Sequence, residues 1–289
     1  MEDIGCAIGK YDKENNTCFS LNQLIAITTA YNTYMNKKYP NNPPQIPIKQ
    51  NKKYLVNKLL DAFKDKCGNN QACITEQEFM NEIVHEMKDD IDQSFKPIGP
   101  ETSTEWLYSE HIKKILRANE SVYPDFKFLG AIPIDCDILE GCPLYGIDFD
   151  KYKNSGKTKL GVVFNLDEHY KSGSHWVALF INIEEYSIYY CDSVGKKPIK
   201  NIVSLIDKFI DYSKGKNQYC TYRYNSNPYQ TKDNKTECGV YSCNFINRML
   251  RGETFEEIVN NGLPYEKINY CRNVYFRNPT SSYSSHNSC

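Results

Sequence analysis

The architecture of this chain turns on His175-Trp176-Val177-Ala178-Leu179-Phe180-Ile181-Asn182-Ile183-Glu184-Glu185-Tyr186-Ser187-Ile188-Tyr189-Tyr190-Cys191-Asp192. Two runs rich in β-branched and aromatic residues, 175–183 and 186–192, flank a pair of glutamates. The first run is nearly continuous in apolar residues, as expected of a strand buried on both faces. Together they predict an antiparallel hairpin whose cross-strand partners can be counted. A loop of two or four residues centred between Ile183 and Glu184 sets His175 directly opposite Asp192. A two-residue Glu184-Glu185 turn makes them diagonal neighbours. Both registers leave the two side chains on one face, because strand side chains alternate with period two. A carboxylate there fixes the imidazole tautomer, stabilises the protonated ring and prepares its other nitrogen to act as a base.

Such a base needs a nucleophile, and Cys238 is the candidate. Thr236-Glu237-Cys238-Gly239-Val240 lies where the polar stretch 225–237 gives way to a helical pattern marked by Val240, Cys243, Ile246 and Leu250. A thiol at a helix N-terminus feels the positive end of the macrodipole, and a nearby imidazolium lowers its pKa from about 8.5. Gly239 removes a side chain where substrate must approach. The Cys238 backbone amide offers one donor to an oxyanion, and a side-chain amide offers the second. Taken singly, a buried cysteine is usually a packing residue and a strand-start histidine a satisfied polar group. The combination is far more specific than any member.

Outward from the hairpin, Leu160 to Asn165 and Tyr219 to Tyr224 read as further strands. Ile199, Ile202, Val203, Ile206, Phe209 and Ile210 follow helical spacing, with Gly215 near the stop. A helix around Ser109 to Ala118 follows Trp106. Helical signals dominate upstream. Ser20 and Gln23 form a capping box ahead of Leu21, Leu24, Ile25 and Ile27. Four prolines between Tyr39 and Pro47 precede a second helical face at Tyr54, Leu55, Leu59, Leu60 and Phe63. Thr75 and Glu78 repeat the capping box and predict a third helix to about Asp92. The expected organisation is a helical module over 1–100 with a linker near 93–103, an α+β domain over 104–277 and a disordered Ser/Asn/Tyr-rich tail over 278–289.

Composition narrows the function classes. The 289 residues carry a net charge of -1, with 40% apolar and 25% charged residues, which marks a globular chain without a global pull toward nucleic acid or membrane. No run approaches the roughly 18 apolar residues of a membrane span. Lys37, Lys38, Lys49, Lys52, Lys53, Lys58, Lys64 and Lys66 face only Asp61 and Asp65 over their stretch, a solvated face or a contact for nucleic acid or a partner. The 12 cysteines follow no secretory start, so reduced thiols are expected. Cys67 with Cys73, Cys136 with Cys142 and Cys238 with Cys243 lack the tight spacing of a zinc site, and no metal or cofactor is expected.

The runs His175-Trp176-Val177-Ala178, Tyr190-Cys191-Asp192-Ser193 and Thr236-Glu237-Cys238-Gly239-Val240-Tyr241 resemble the ubiquitin-like-protein protease superfamily. That group holds the SUMO proteases, adenovirus protease and maturation proteases of large DNA viruses. Trp106-Leu107 followed by Ile112 is similar to the tryptophan motif that opens its catalytic domain, so the likeness spans roughly 104–276. The resemblance implies an adenain-like α+β fold with a central mixed sheet flanked by helices. It implies a triad of His175, Asp192 and Cys238, with Trp106 and Trp176 lining a narrow groove for a Gly-Gly tail. It also implies an oxyanion glutamine, for which Gln230 is the nearby candidate, although it stands eight residues before Cys238. Asn234 lies closer but has a shorter side chain. The activity implied is that of a thiol endopeptidase processing viral structural precursors at Gly-Gly-X sites, in the virion and at the assembly site in host cytoplasm. Two alternatives use the same residues: an isopeptidase acting on SUMO or ubiquitin conjugates, and a catalytically silent module that grips Gly-Gly tails.

Overall fold

The computed structural model describes residues 5–102, 104–230, 236–277 and 289. The chain divides into two compact units, Met1–Pro97 and Ile98–Cys289. The tail expected over 278–289 falls outside the described residues except for Cys289, and so does Asn234.

The first unit is helical: α1 (Leu21–Lys38), α2 (Lys52–Ala62), α3 (Lys64–Cys67), α4 (Gln71–Ile74) and α5 (His85–Asp92). Both hydrogen bonds of the Ser20–Gln23 capping box are present. Leu24, Ile27, Leu55, Leu59, Phe79 and Ile91 share its core. The second box does not form. Asn70 caps α4, and the Thr75 hydroxyl turns back to donate to Ala72 O at 2.7 Å. Glu78 accepts from the Tyr34 hydroxyl and opens a 3-10 turn, so the expected third helix begins only at His85. Within the basic stretch, Lys37 pairs with Glu82, Lys52 with Asp12 and Lys58 with Asp61.

The second unit is α+β. Its helices are α6 (Ser109–Arg117), α7 (Phe149–Asn154), α8 (Lys200–Gly215), α9 (Cys238–Leu250), α10 (Phe255–Asn260) and α11 (Tyr265–Tyr275). Its strands are β1 (Phe126–Pro133), β2 (Lys159–Asn165), β3 (Trp176–Asn182), β4 (Ser187–Cys191) and β5 (Thr221–Tyr224). The strands form one mixed sheet in the order β1-β2-β3-β4-β5, with β1 parallel to β2, β4 parallel to β5 and antiparallel pairs between. Every residue of β3 is buried, which accounts for its continuous apolar run. Trp176, Ala178 and Phe180 pack with Val240, Phe245 and Ile246 of α9. Val177, Leu179 and Ile181 point the other way, to Ile202, Leu205, Ile206 and Phe209 of α8. The sheet therefore lies between two helical layers, and α9 is buried along almost its whole length.

Reduced thiols were the expectation, and the structure corrects it. Cys6–Cys18, Cys67–Cys73, Cys136–Cys142 and Cys271–Cys289 form disulfides, leaving Cys191, Cys220, Cys238 and Cys243 free. Folding brings each bonded pair to a Cα separation of 5.2–5.5 Å, within the range a disulfide bridges. No helix among the described residues is long and apolar enough to cross a membrane.

Candidate active site

His175 stands immediately before β3, at the end of a loop tied by one side chain. Asn165 Oδ1 accepts from the backbone amides of Asp167 and Ser174 at 3.1 and 3.2 Å, and Leu166 N donates to His175 O at 3.0 Å. Asp192 stands immediately after β4. Asn182 pairs with Ser187 and Ala178 with Cys191, so the turn is centred on Glu184-Glu185. This is the diagonal register of the two expected, and it sets His175 and Asp192 on one face.

The Asp192 carboxylate is fully buried. Its Oδ1 lies 2.6 Å from His175 Nε2 and also accepts from Val194 N at 3.0 Å. Asn225 clamps the aspartate backbone from both sides, accepting from Asp192 N at 2.8 Å and donating to Asp192 O at 2.7 Å. With Nε2 committed to the carboxylate, Nδ1 is the ring nitrogen left for Cys238, whose side chain hydrogen-bonds the imidazole. Burial by itself pushes the His175 pKa down, but the hydrogen bonds and negative charge of Asp192 and Cys238 outweigh it and raise the value to about 9. At neutral pH the ring is an imidazolium held against the buried Asp192 carboxylate.

Cys238 is the first residue of α9 and is 1% exposed, its sulfur covered yet facing the imidazole. On the other free thiols burial outweighs the opposing influences, the Arg248 charge on Cys191 and the Ser213 hydroxyl on Cys220. Burial pushes Cys191, Cys220 and Cys243 all upward.

The structure separates the residues expected to line the groove. Trp106 is 37% exposed, whereas Trp176 is 6% exposed and donates its indole N–H to Leu107 O at 2.8 Å. Trp176 thus fastens the Trp106-Leu107 segment to the sheet. Gly239 was expected to clear a path for substrate, but it is buried. A Cβ there would stand 3.0 Å from Leu107 Cβ and 3.3 Å from Trp176 Cδ1, so the missing side chain lets α9 close against that segment. Gln230 is buried, and its Oε1 accepts from the Ser193 hydroxyl at 2.6 Å.

Three features of the site escaped the sequence. Asn225 lies 33 residues from the aspartate it clamps, with no local pattern to flag it. A second pair joins His169 Nδ1 to Asp135 Oδ2 at 2.7 Å and braces the histidine loop against the end of β1. Glu237, next to Cys238, is fully buried in an ion pair with Arg272 of α11, at 2.9 Å. Arg272 Nη2 also donates to Glu105 O at 2.7 Å and thereby links the Trp106 segment to the residues just before α9.

A family model described as the Ulp1 protease family, C-terminal catalytic domain, matches residues 159–278. Over 294 aligned positions the chain is 47% identical to a protein of Acanthamoeba polyphaga mimivirus named as a thiol protease, covering 98% of this chain and 97% of that one. Two crystal structures of the protease of African swine fever virus (ASFV) share the fold. One, with selenomethionine, superposes with a TM-score of 0.63 at 20% identity, over 78% of this chain and 90% of that one. The other gives 0.61 at 18% identity, over 94% and 95%.

Proposed function

This chain belongs to the Ulp1 protease family and is a cysteine protease, and from that premise we propose that Cys238, His175 and Asp192 are its catalytic triad. The observation carrying this assignment is the hydrogen-bonded line from Asp192 through His175 to Cys238 at the head of a buried helix. The Cys238 thiolate attacks the scissile carbonyl carbon and pushes the π electrons onto oxygen. The Cys238 amide and the Gln230 side chain donate to that oxyanion. As the oxyanion collapses, the C–N bond breaks and the His175 imidazolium protonates the departing amine, leaving a thioester on Cys238. Neutral His175 then takes a proton from water, the hydroxide attacks the thioester, and the product carboxylic acid leaves as thiolate and imidazolium re-form, losing its own proton to solvent.

The substrate reading is a protein chain cut after Gly-Gly, whose small residues thread a narrow groove beside the exposed Trp106. The natural substrates are viral structural precursors, cleaved during particle maturation in the virion and at the assembly site. Near full-length similarity to a viral thiol protease supports this, and the four disulfides, which persist on virions and are rare in reducing cytosol, favour the virion of the two places. The helical unit serves as a docking module for substrate or partner. The test is a fragment map by mass spectrometry of viral structural precursors, with SUMO and ubiquitin fusions alongside, after exposure to wild type or Cys238→Ala. New Gly-Gly ends from the precursors alone, made only by wild type, support the reading. Cleavage of the fusions alone moves the function to an isopeptidase, and cleavage by Cys238→Ala removes the nucleophile assignment.

A further inference from the structure

The β ladder stops just short of the triad aspartate. The last β3–β4 pair is Ala178 with Cys191, and the last β4–β5 pair is Tyr190 with Tyr224. One residue beyond each strand, a side chain takes over. Asn225 is 2% exposed, accepts from Asp192 N at 2.8 Å and donates from Nδ2 to Asp192 O at 2.7 Å. These are the two bonds that a facing residue of an antiparallel pair makes with its backbone, supplied here by a primary amide. A backbone N–H only donates and a carbonyl only accepts, so the two contacts fix which end of the Asn225 amide is the oxygen. The chain then turns sharply, with Val194 N donating to Asp192 Oδ1 at 3.0 Å and Gly195 N to Asp192 O at 2.8 Å. Gly195 has a φ of 71°, and a Cβ there would stand 2.9 Å from Ser226 O and 3.0 Å from Pro228 N. The turn over 192–195 is thus seated on 225–228. With its backbone held and Oδ1 pinned by Val194, the carboxylate is aimed at His175 Nε2, 2.6 Å away.

We infer that Asn225, together with Gly195, is a positioning residue that holds the Asp192 backbone where its carboxylate meets the His175 imidazole. The inference rests on the assignment of His175 and Asp192 to the triad. Both residues act through Asp192, and neither takes part in proton transfer. A short charge-assisted contact tolerates little displacement, so a small shift of the aspartate backbone weakens it.

Titration of the His175 ring reads this placement whatever the natural substrate. In protein labelled with 15N-histidine, with the resonances assigned through His175→Ala, the wild-type ring should titrate at about 9, sustained by Asp192 and Cys238 against burial. Asn225→Ala and Gly195→Ala should each bring that value down toward the ordinary 6.5. Steady-state hydrolysis of p-nitrophenyl acetate is the second reading, because its deacylation step needs His175 as base toward water. Turnover should fall roughly tenfold to a hundredfold in both variants, as for a displacement of about 1 Å, and short of the on the order of 10⁴-fold loss that follows removal of a triad carboxylate. Asn182→Ala is the control. It removes a buried asparagine that accepts from Glu185 N at 3.2 Å at the far end of the same hairpin, and should leave both readings at wild type. Titration near 9 with wild-type turnover in Asn225→Ala overturns the inference. If that variant does not fold, Gly195→Ala decides by the same readings. Parallel losses in Asn182→Ala assign the effect to general loosening of the hairpin and also overturn it. A wild-type ring titrating near 6.5, or turnover retained by His175→Ala, removes the triad assignment and the inference with it.

Discussion

His175 Nε2 and Asp192 Oδ1 lie 2.6 Å apart, with the carboxylate sealed from solvent and the imidazole side chain 18% exposed. Together with Cys238 this contact raises the histidine pKa from the ordinary 6.5 to about 9. A histidine whose folded pKa exceeds its unfolded one stabilises the fold fully below the unfolded value. That contribution is lost as pH rises through the folded value. The melting temperature of the wild type should therefore fall between about pH 6.5 and 9, and Asp192→Asn should flatten that slope. The basic limb of kcat/KM should lie near pH 9, where the leaving amine loses its proton donor. A histidine titrating near its ordinary value would remove both effects.

The two tryptophans should separate cleanly in mutants. Trp176→Ala deletes a buried ring and its bond to Leu107, and should destabilise the fold by about 3–5 kcal/mol in denaturant unfolding. Trp106→Ala, at an exposed position, should change stability by less than about 1 kcal/mol while raising KM for a Gly-Gly peptide. Equal stability losses at both sites would contradict this division.

Arg272→Met should leave the Glu237 carboxylate buried without its partner and destabilise the second unit by about 3–5 kcal/mol. Adding Glu237→Leu should recover much of that loss, because two apolar side chains need no compensation. Chemical denaturation of the single and double variants reads the difference. No recovery in the double variant would show that the pair is not coupled.

Thiol titration tests the disulfides directly. The unfolded, unreduced chain should react at four thiols, and the reduced chain at all twelve cysteines. Reduction should also lower the melting temperature, with the 18-residue separation of Cys271 and Cys289 contributing about 3 kcal/mol in the chain-entropy picture. Twelve reactive thiols without reductant would return the chain to the reduced state expected from sequence.

What the sequence carried was local. The apolar run of β3, the short turn at Glu184-Glu185, and the switch from polar loop to buried helix at Cys238 all follow from periodicity over a few residues. Counting across the hairpin left two registers open, and only the position of the turn chose the diagonal one. The long-range contacts were not legible: Ser193 with Gln230, Asn225 with Asp192 and Glu237 with Arg272 each join residues more than 30 positions apart. Disulfide pairing is likewise a property of the folded chain. The box at Thr75 misled because its two residues found stronger partners, Ala72 O for the hydroxyl and Tyr34 for the carboxylate.

The measurement bearing most directly on the relay is a peptide map of the native protein after brief iodoacetamide treatment near pH 7, followed beside activity on a Gly-Gly peptide. Cys238 should be labelled first of the four free thiols, activity should fall in step, and His175→Ala should slow that labelling on the order of a hundredfold. Labelling of half-exposed Cys220 while Cys238 stays unmodified and activity persists would contradict the assignment of Cys238 as nucleophile.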